Sequence, residues 1–395
     1  MGKQNKHLDH LEDRIILNGY QGGKDAIALL KTMGSFLTGR PGPDVVVTTK
    51  WDGAPAVICG KNPENDKFFV GTKSVFNKKD PKICYTESDV HRLYDGALAA
   101  KLATALRFLP SSVTRGVLQG DMMFTDDKKF ETIDGKQYIT FRPNTITYAA
   151  DPKTLLGRNI EGASIGIVFH TKYSGNTMAD LSASFEISEG DFSTGGNVWA
   201  EKAEFKDISG VASMDGNERQ KYDAYIRMAE GSLSQCRHML DKIQSGKKPL
   251  HLDTEFLKFF NSYVRKGQNV PGVTKAYDDF LKHLSDEYDK ASKGKTQPTQ
   301  NKRANEWAAM TFFVIKNKVQ FKFIIATFMN LQAAKNILVD KLKKVSKLRL
   351  FADRGGGDYV ATTPEGFVAV TGGTATKLVD RLEFSKLNFL LPKIW

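Results

Sequence analysis

The 395-residue sequence has few cysteines, no long apolar run and no excess of acidic residues. Its three cysteines, Cys59, Cys84 and Cys236, lack the close spacing of a disulfide framework or a zinc site. The most apolar stretch, residues 310–331, is interrupted by three lysines, so no segment is predicted to span a bilayer. These absences argue against a disulfide-rich secreted protein and a membrane protein. They predict a cytoplasmic location.

Positive charge is abundant and unevenly distributed. The formal net charge is +12, which points to a polyanionic partner. Residues 301–350 contain eleven basic residues but only two acidic ones, Glu306 and Asp340. This segment is predicted to contact nucleic acid through backbone phosphates, although a solvated helix face is the alternative. The predicted contacts are Lys316, Lys318, Lys341, Lys343, Lys344 and Lys347.

The order of the patterns predicts an α+β protein with a helical insertion. Residues 1–43 have helical spacing, and residues 44–210 contain short β-branched runs separated by Gly, Asn and Asp. Helical spacing returns over 211–346, interrupted by a polar linker at 293–303, and β character resumes over 347–395. The length fits either two domains or one domain carrying a large insertion.

The run TTKWDG at residues 48–53 is the first candidate for chemistry. It places Lys50 at the end of a predicted strand, followed by Asp52 and by Gly53, which permits close backbone approach. A Lys-any-Asp-Gly pattern is common enough by chance that a surface lysine before a turn is the simpler interpretation. The motifs that follow it along the sequence favour a catalytic role for Lys50 instead.

Four further segments complete a collinear set. VGTKS at 70–74 contains Lys73, and VLQGD at 117–121 ends in Asp121. IGIVFH at 165–170 contains Phe169, and EGFVAV begins at Glu365. Lys377 follows on the last predicted strand.

In this order the motifs resemble those of the covalent nucleotidyltransferases, the superfamily of ATP-dependent polynucleotide ligases and RNA capping enzymes. The resemblance covers residues 45–175 and 350–385. It implies a nucleotidyltransferase core built of antiparallel sheets. Asp121 stands where the family has Glu, and Val379 stands where it has a second lysine. No C-terminal OB-fold is expected after the last motif, which argues against a capping enzyme.

The resemblance implies a role for each matched residue. Lys50 would take AMP from ATP, with Lys73 and Lys377 lowering its pKa and stabilising charge on the phosphate. Asp121 and Glu365 would bind Mg²⁺ or the ribose, and Phe169 would stack on the purine. Arg381 and Lys386 are the two candidates to replace the missing lysine at Val379. The predicted nucleotide-binding set is Thr48, Thr49, Asp52, Gly53, Asp121, Phe169, Glu365 and Lys377.

The combined prediction is an ATP-dependent DNA ligase that acts as a monomer on nicked duplex DNA. The motif block is similar to that of ligase-like proteins of tailed bacteriophages, which implies the cytoplasm of a bacterial host. One alternative is an RNA ligase. Another is a non-catalytic nucleic-acid-binding protein on a decayed core, suggested by Asp121 and Val379. A third is a nucleotidyltransferase that modifies protein or a small molecule.

Overall fold

The computed structural model describes residues 8–37, 45–204, 213–244, 251–345, 348–353, 357–364, 366–371 and 374–383. Within them the chain is a mixed α+β protein. The α-helices are α1 (Arg14–Leu17), α2 (Gly19–Phe36), α3 (Glu87–Leu93), α4 (Gly96–Phe108), α5 (Leu155–Gly162), α6 (Gly216–Gln244), α7 (Leu252–Arg265), α8 (Val273–Ser292), α9 (Gln297–Lys316) and α10 (Lys318–Leu342). Short 3-10 turns occupy Lys73–Phe76 and Leu109–Ser111.

The strands form three sheets. They are β1 (Val45–Lys50), β2 (Ala56–Lys61), β3 (Phe68–Gly71), β4 (Val117–Phe124), β5 (Lys129–Ile133), β6 (Lys136–Phe141), β7 (Ile146–Ala150), β8 (Ile165–Ser174), β9 (Ser182–Ser184), β10 (Val198–Lys202), β11 (Arg349–Asp353), β12 (Tyr359–Ala361), β13 (Gly366–Thr371) and β14 (Thr374–Leu378). The small sheet has the order β1-β13-β14 and the central sheet β10-β8-β4-β2-β3, with β9 beside β8. The outer sheet has the order β12-β11-β7-β6-β5. Every pairing is antiparallel except that of β10 with β8.

The segment after the helices returns to the same sheets that began before them. β11 pairs with β7 in the outer sheet, and β13 pairs with β1 in the small sheet. Helices α6 to α10 therefore interrupt a β-rich region whose two parts pair with each other.

The small sheet has two chemically different faces because successive side chains of a strand point in opposite directions. Val47, Phe367, Ala369 and Leu378 are buried in a core shared with the helices. Their neighbours Thr48, Val368 and Lys377 therefore point to the opposite face. The helices cover one face of this sheet, and the candidate site lies on the other.

The N-terminal helices and the helical insertion share one hydrophobic core. Leu30 and Met33 of α2 are buried in the same cluster as Tyr222 of α6 and Leu331 of α10. The Tyr222 hydroxyl donates a hydrogen bond to the Leu30 carbonyl at 2.5 Å. An amphipathic helix must bury its apolar stripe against a partner, and the insertion provides that partner for α2.

One detail of the predicted helical region differs in the structure. The expected polar linker at 293–303 is partly helical, because α9 begins at Gln297 with Pro298 in its first turn, a position that tolerates proline. The helical region that follows the linker consists of two helices, α9 and α10, which are separated at Asn317. None of the described helices is long and apolar enough to cross a membrane.

Candidate functional site

A cavity of about 140 Å³ contacts both the small sheet and the central sheet. Strands β1 and β13 supply one part of its wall, and β4 and β8 supply another. Its lining combines apolar side chains with a few polar ones. The lining residues are Leu8, Thr48, Thr49, Lys50, Trp51, Asp121, Val168, His170, Phe185, Ala203 and Val368.

Strand register brings the first and last motifs of the sequence together. Thr48 pairs with Val368, and Val368 pairs in turn with Lys377. Directly opposed residues of paired strands point to the same face of a sheet. Lys50, two residues beyond Thr48, shares this face and stands opposite Gly366. Lys50 and Lys377 are thus presented on one side of the small sheet, two strands apart.

The central sheet contributes a carboxylate and an imidazole. Asp121 on β4 and His170 on β8 both line the cavity, and Nε2 of His170 lies 3.7 Å from Oδ1 of Asp121. Nδ1 of His170 is 2.8 Å from the Thr171 hydroxyl. Both side chains are about one quarter exposed, so they are accessible to a molecule in the cavity.

Phe169 does not fit its predicted stacking role. Its side chain is fully buried in the core on the other face of the central sheet, where its ring packs against Phe192 at 5.1 Å. Val168 and His170 line the cavity instead, because adjacent strand residues point to opposite faces. Of Val168, Phe169 and His170, it is therefore His170 that presents a ring to the cavity.

Asp52 and Gly53 shape the turn after Lys50. The Asp52 carboxylate is buried and accepts hydrogen bonds from the Asn144 side chain at 2.7 Å and from the backbone N–H groups of Thr145 and Ile146 at 2.7 and 2.8 Å. A Cβ atom at Gly53 would lie 2.5 Å from the Cβ of Asp121. The predicted nucleotide-binding residues Asp52 and Gly53 therefore hold the strand end of Lys50 against the outer sheet and β4.

Lys73 is exposed in the 3-10 turn that follows β3. Thr72 precedes this turn, and its hydroxyl accepts a hydrogen bond from the backbone N–H of Ser74. Lys73 is absent from the lining of the cavity, so the structure does not bring it together with Lys50 and Asp121 there.

The N-terminal segment contributes to the site without any sequence signal. Residues 9–11 run beside β14, where the Lys377 N–H donates to the Asp9 carbonyl at 2.9 Å and the Leu11 N–H donates to the Lys377 carbonyl at 3.3 Å. This pairing places Leu8 in the cavity wall. The strand that carries Lys377 is therefore held from its outer edge.

A buried charge network ties the same segment to the helices. The Lys335 ammonium of α10 donates to the Glu12 carboxylate at 2.7 Å, and both side chains are fully buried. Burial alone would raise the pKa of Glu12, but Lys335 and Arg381 hold it at about 2. Arg381 also donates to Asp13 at 2.8 Å. This network connects the N-terminus, the insertion and the C-terminal segment.

The residues considered as replacements for the missing lysine take no part in the cavity. Val379 is buried and its Cγ2 would lie 2.6 Å from a Cβ atom at Gly366. Arg381 binds Asp13 and also donates to Asn261 at 2.7 Å, so the suggestion that it supplies the missing charge is wrong. Glu365 and Lys386 lie outside the described residues.

The predicted nucleic-acid-binding lysines divide into two groups. Lys341 is paired with Glu218 and Lys343 with Glu383, and both lysine side chains are largely buried. The hydrogen bond to Glu218 raises the pKa of Lys341. For these two the predicted phosphate contact is wrong, because their charges are used inside the protein. Lys316, Lys318 and Lys344 are exposed, and Lys347 lies outside the described residues.

The described residues contain no cluster of three or more His, Cys, Asp or Glu side chains that would hold a metal by itself. Mg²⁺ commonly takes only one or two carboxylates together with substrate phosphates and waters. Asp121, with an accessible carboxylate in the cavity wall, fits that mode of binding.

The fold and the site define an α+β protein with a partly apolar cavity flanked by lysines, a carboxylate and an imidazole. Residues 5–393 match a family described as "Family of unknown function (DUF6267)". The chain therefore belongs to this family. No curated protein matches it, and no solved structure does.

Proposed function

We propose that this protein is an ATP-dependent polynucleotide ligase that carries AMP on Lys50 and seals nicks in DNA. One observation carries the proposal. Motifs separated by more than 300 residues meet at a single cavity, in which Lys50, Asp121 and Val368 line the wall and Lys377 lies beside Val368. The nucleotidyltransferase resemblance requires its motifs to converge in this way.

The first step would transfer AMP to the protein. The neutral amine of Lys50 attacks the α-phosphorus of ATP, an N–P bond forms, the P–O bond to pyrophosphate breaks, and the amine proton leaves to solvent. A lysine of ordinary pKa is neutral only about 0.04% of the time at pH 7, a barrier of about 4.6 kcal/mol. A second cation on the same sheet face, Lys377, would stabilise charge on the transferring phosphate.

The second and third steps would use that bond to join a polynucleotide. A 5′-phosphate oxygen attacks the lysyl phosphorus, the N–P bond breaks, and Lys50 regains a proton as the adenylylated DNA end forms. The 3′-hydroxyl then attacks the 5′-phosphate and loses its proton to solvent, the phosphodiester forms, and the P–O bond to AMP breaks so that AMP leaves. No oxidant or reductant is needed.

The cavity fits a purine better than a whole nucleotide. Its volume of about 140 Å³ is below the roughly 300–1,000 Å³ of ordinary ligand pockets, so the phosphates would extend past Lys50 toward its mouth. Leu8, Trp51 and Val368 offer apolar surface, and His170 offers a ring. The buried indole N–H of Trp51 has no hydrogen-bond partner among the described residues, and an acceptor on the base would provide one.

Asp121 is the described residue that would hold Mg²⁺. When bound, the ion neutralises charge on the transferring phosphate. Asp121 also lies within 4 Å of His170, so the ion would be held next to the ring that we assign to the base.

The test is transfer of label from α-labelled ATP to the protein, resolved on a denaturing gel. Wild type and Lys61→Ala, a matched lysine at the end of β2, should both become labelled, whereas Lys50→Ala and Lys50→Arg should not. His170→Ala should raise the ATP concentration needed for half-maximal labelling. Equal labelling of wild type and Lys50→Ala would refute the proposal.

A second candidate is a nucleic-acid-binding protein on an inactive core. The burial of Val379 and the internal pairing of Arg381 favour it, because they leave Lys377 as the described cation of the last motif. This candidate predicts binding of duplex without any label on folded protein that is shown by mass to carry no AMP. A gel comparing sealing of nicked DNA with nicked RNA separates the DNA ligase from the RNA ligase.

A further inference from the structure

The turn between α9 and α10 exposes an unusual combination of side chains. Phe312, Ile315 and Val319 are 67%, 53% and 60% exposed, whereas most large apolar residues of the described chain are buried. Lys316 and Lys318 are exposed between them. We call these five residues the insertion tip.

The insertion tip is presented by a rigid base. Val314 of α9 and Phe321 of α10, on either side of the turn, are fully buried. The Phe313 ring packs edge-on against the Phe321 ring, with 6.0 Å between the ring centroids. The Asn317 side chain donates to the Phe313 carbonyl at 2.8 Å and closes the turn. The exposed residues are therefore held outward by a packed hairpin.

Around the insertion tip, the charged residues of α9 and α10 are all basic over residues 307–339. No acidic residue occurs between Glu306 and Asp340. Lys318 and Lys322 lie 5.5 and 5.8 Å from the Tyr277 ring, which draws both stems onto one side. The adjoining start of α8 adds Lys275, which is paired with Asp279.

We infer that the insertion tip binds duplex DNA at a distance from the nick. This inference rests on the proposed function for its substrate. Exposed lysines in fixed positions neutralise phosphates, and apolar side chains such as Phe and Ile contact base steps in a minor groove. The exposed lysines make the insertion tip complementary to a polyanion. A purely apolar surface would instead fit a protein partner.

The length of α10 sets the scale of the distance between the insertion tip and the nick. Lys318 lies about 25 Å along α10 from Lys335, which binds Glu12 beside the strand of Lys377. At about 3.4 Å per base pair, this length of helix equals roughly seven base pairs, which sets the scale of the duplex arm that the tip would contact. The insertion tip therefore touches an arm of the duplex, and short arms leave it empty.

The experiment measures binding of the full chain to a dye-labelled nicked duplex that lacks the 5′-phosphate, so that no sealing occurs. With arms of about fifteen base pairs, K316E/K318E should bind at least about tenfold more weakly and lower the salt slope by about two. Phe312→Ser should weaken binding by about threefold or more. With arms of about five base pairs, wild type and variants should bind alike.

Matched controls come from the outer sheet and α5. K129E/K153E reverses two other exposed lysines, and Leu155→Ser removes a side chain that is 68% exposed. Both should bind long arms within about twofold of wild type. If K316E/K318E unfolds at a lower denaturant concentration, K316Q/K318Q replaces it.

Unchanged binding of long arms by folded tip variants would overturn the inference. So would Phe312-dependent binding to anionic lipid vesicles with unchanged duplex binding, which would make the tip a membrane contact. Labelling with ATP needs no DNA and separates the two proposals. Normal labelling with unaffected duplex binding refutes the tip alone, whereas tip-dependent duplex binding without labelling refutes the ligase alone.

Discussion

The two ends of α10 both carry lysines but use them in opposite ways. Near its C-terminal end, Lys335, Lys341 and Lys343 are largely buried and paired with Glu12, Glu218 and Glu383. At its N-terminal end, Lys318 stands exposed beside Phe312 and Val319. The first group holds segments of the chain together, and the second offers charge to a partner. A net charge counted along the sequence does not distinguish these uses.

The strongest test of this contrast is removal of the buried pair. Lys335→Ala leaves the Glu12 carboxylate buried without its lysine, which should cost about 3–5 kcal/mol. The midpoint of urea unfolding should fall accordingly. The double variant Lys335→Met with Glu12→Leu should recover most of the loss, because no buried charge remains unpaired. A midpoint for Lys335→Ala equal to wild type would contradict the internal role of this end.

The stability of the protein should also depend on pH through His10, which interacts with the charges of Glu12, Lys335 and Arg381. Burial, with help from Arg381, lowers the pKa of His10 from 6.5 to about 3. Between these values the unfolded chain binds a proton that the folded chain excludes, so stability falls as pH falls below 6.5. Moving from pH 7.5 to pH 5 should cost wild type about 2 kcal/mol more than His10→Gln. The charges of Arg381, Glu12, Lys335 and Lys377 act on position 10 and are present in both proteins, so their own contributions largely cancel.

Lys341 and Lys344 lie close together in the sequence, but Lys341 is buried and paired whereas Lys344 is exposed. Replacing each of them in turn compares the two uses of lysine directly. Lys341→Gln removes the bond to Glu218 and should lower the urea midpoint, by less than Lys335→Ala does, because Glu218 is about one third exposed. Lys344→Gln changes an exposed side chain and should leave the midpoint unchanged. Equal effects of the two substitutions would show that burial does not separate them.

Only a small effect on stability is expected at the insertion tip. Lys316→Ala and Lys318→Ala should each change the free energy of unfolding by less than about 0.5 kcal/mol, while both weaken duplex binding. Calorimetry and the binding titration on the same samples test this pair of outcomes. Loss of stability comparable to Lys335→Ala would mean that the N-terminal end of α10 is structural as well.

The strands with strong β patterns lie where the sequence indicates them, and the cavity contains some of the predicted site residues but not Lys73 or Phe169. β1, β4 and β8 lie where β-branched and apolar runs indicate them, and Lys50 and Asp121 both line the cavity. Strands β5, β7 and β10 were not identified. Their pairing depends on partners elsewhere in the chain more than on their own composition.

Two errors have a common physical origin in long-range structure. The nearly continuous apolar run of β8 does not reveal which of Phe169 and His170 faces the cavity, and a shift of one residue reverses the face. The acidic residues that bind Lys341 and Lys343 lie 123 and 40 positions away in the sequence, so no local sequence pattern predicts these ion pairs. Leu8 enters the cavity wall only because its segment runs beside β14.

The most direct test of the central claim is the position of AMP on the protein. Wild type should be incubated with ATP and Mg²⁺, digested with a protease and analysed by mass spectrometry. The account predicts a single adenylylated peptide with the modification on Lys50, which is absent when pyrophosphate is added to reverse the reaction. AMP on another residue, or no AMP on folded protein that began without it, would contradict the account.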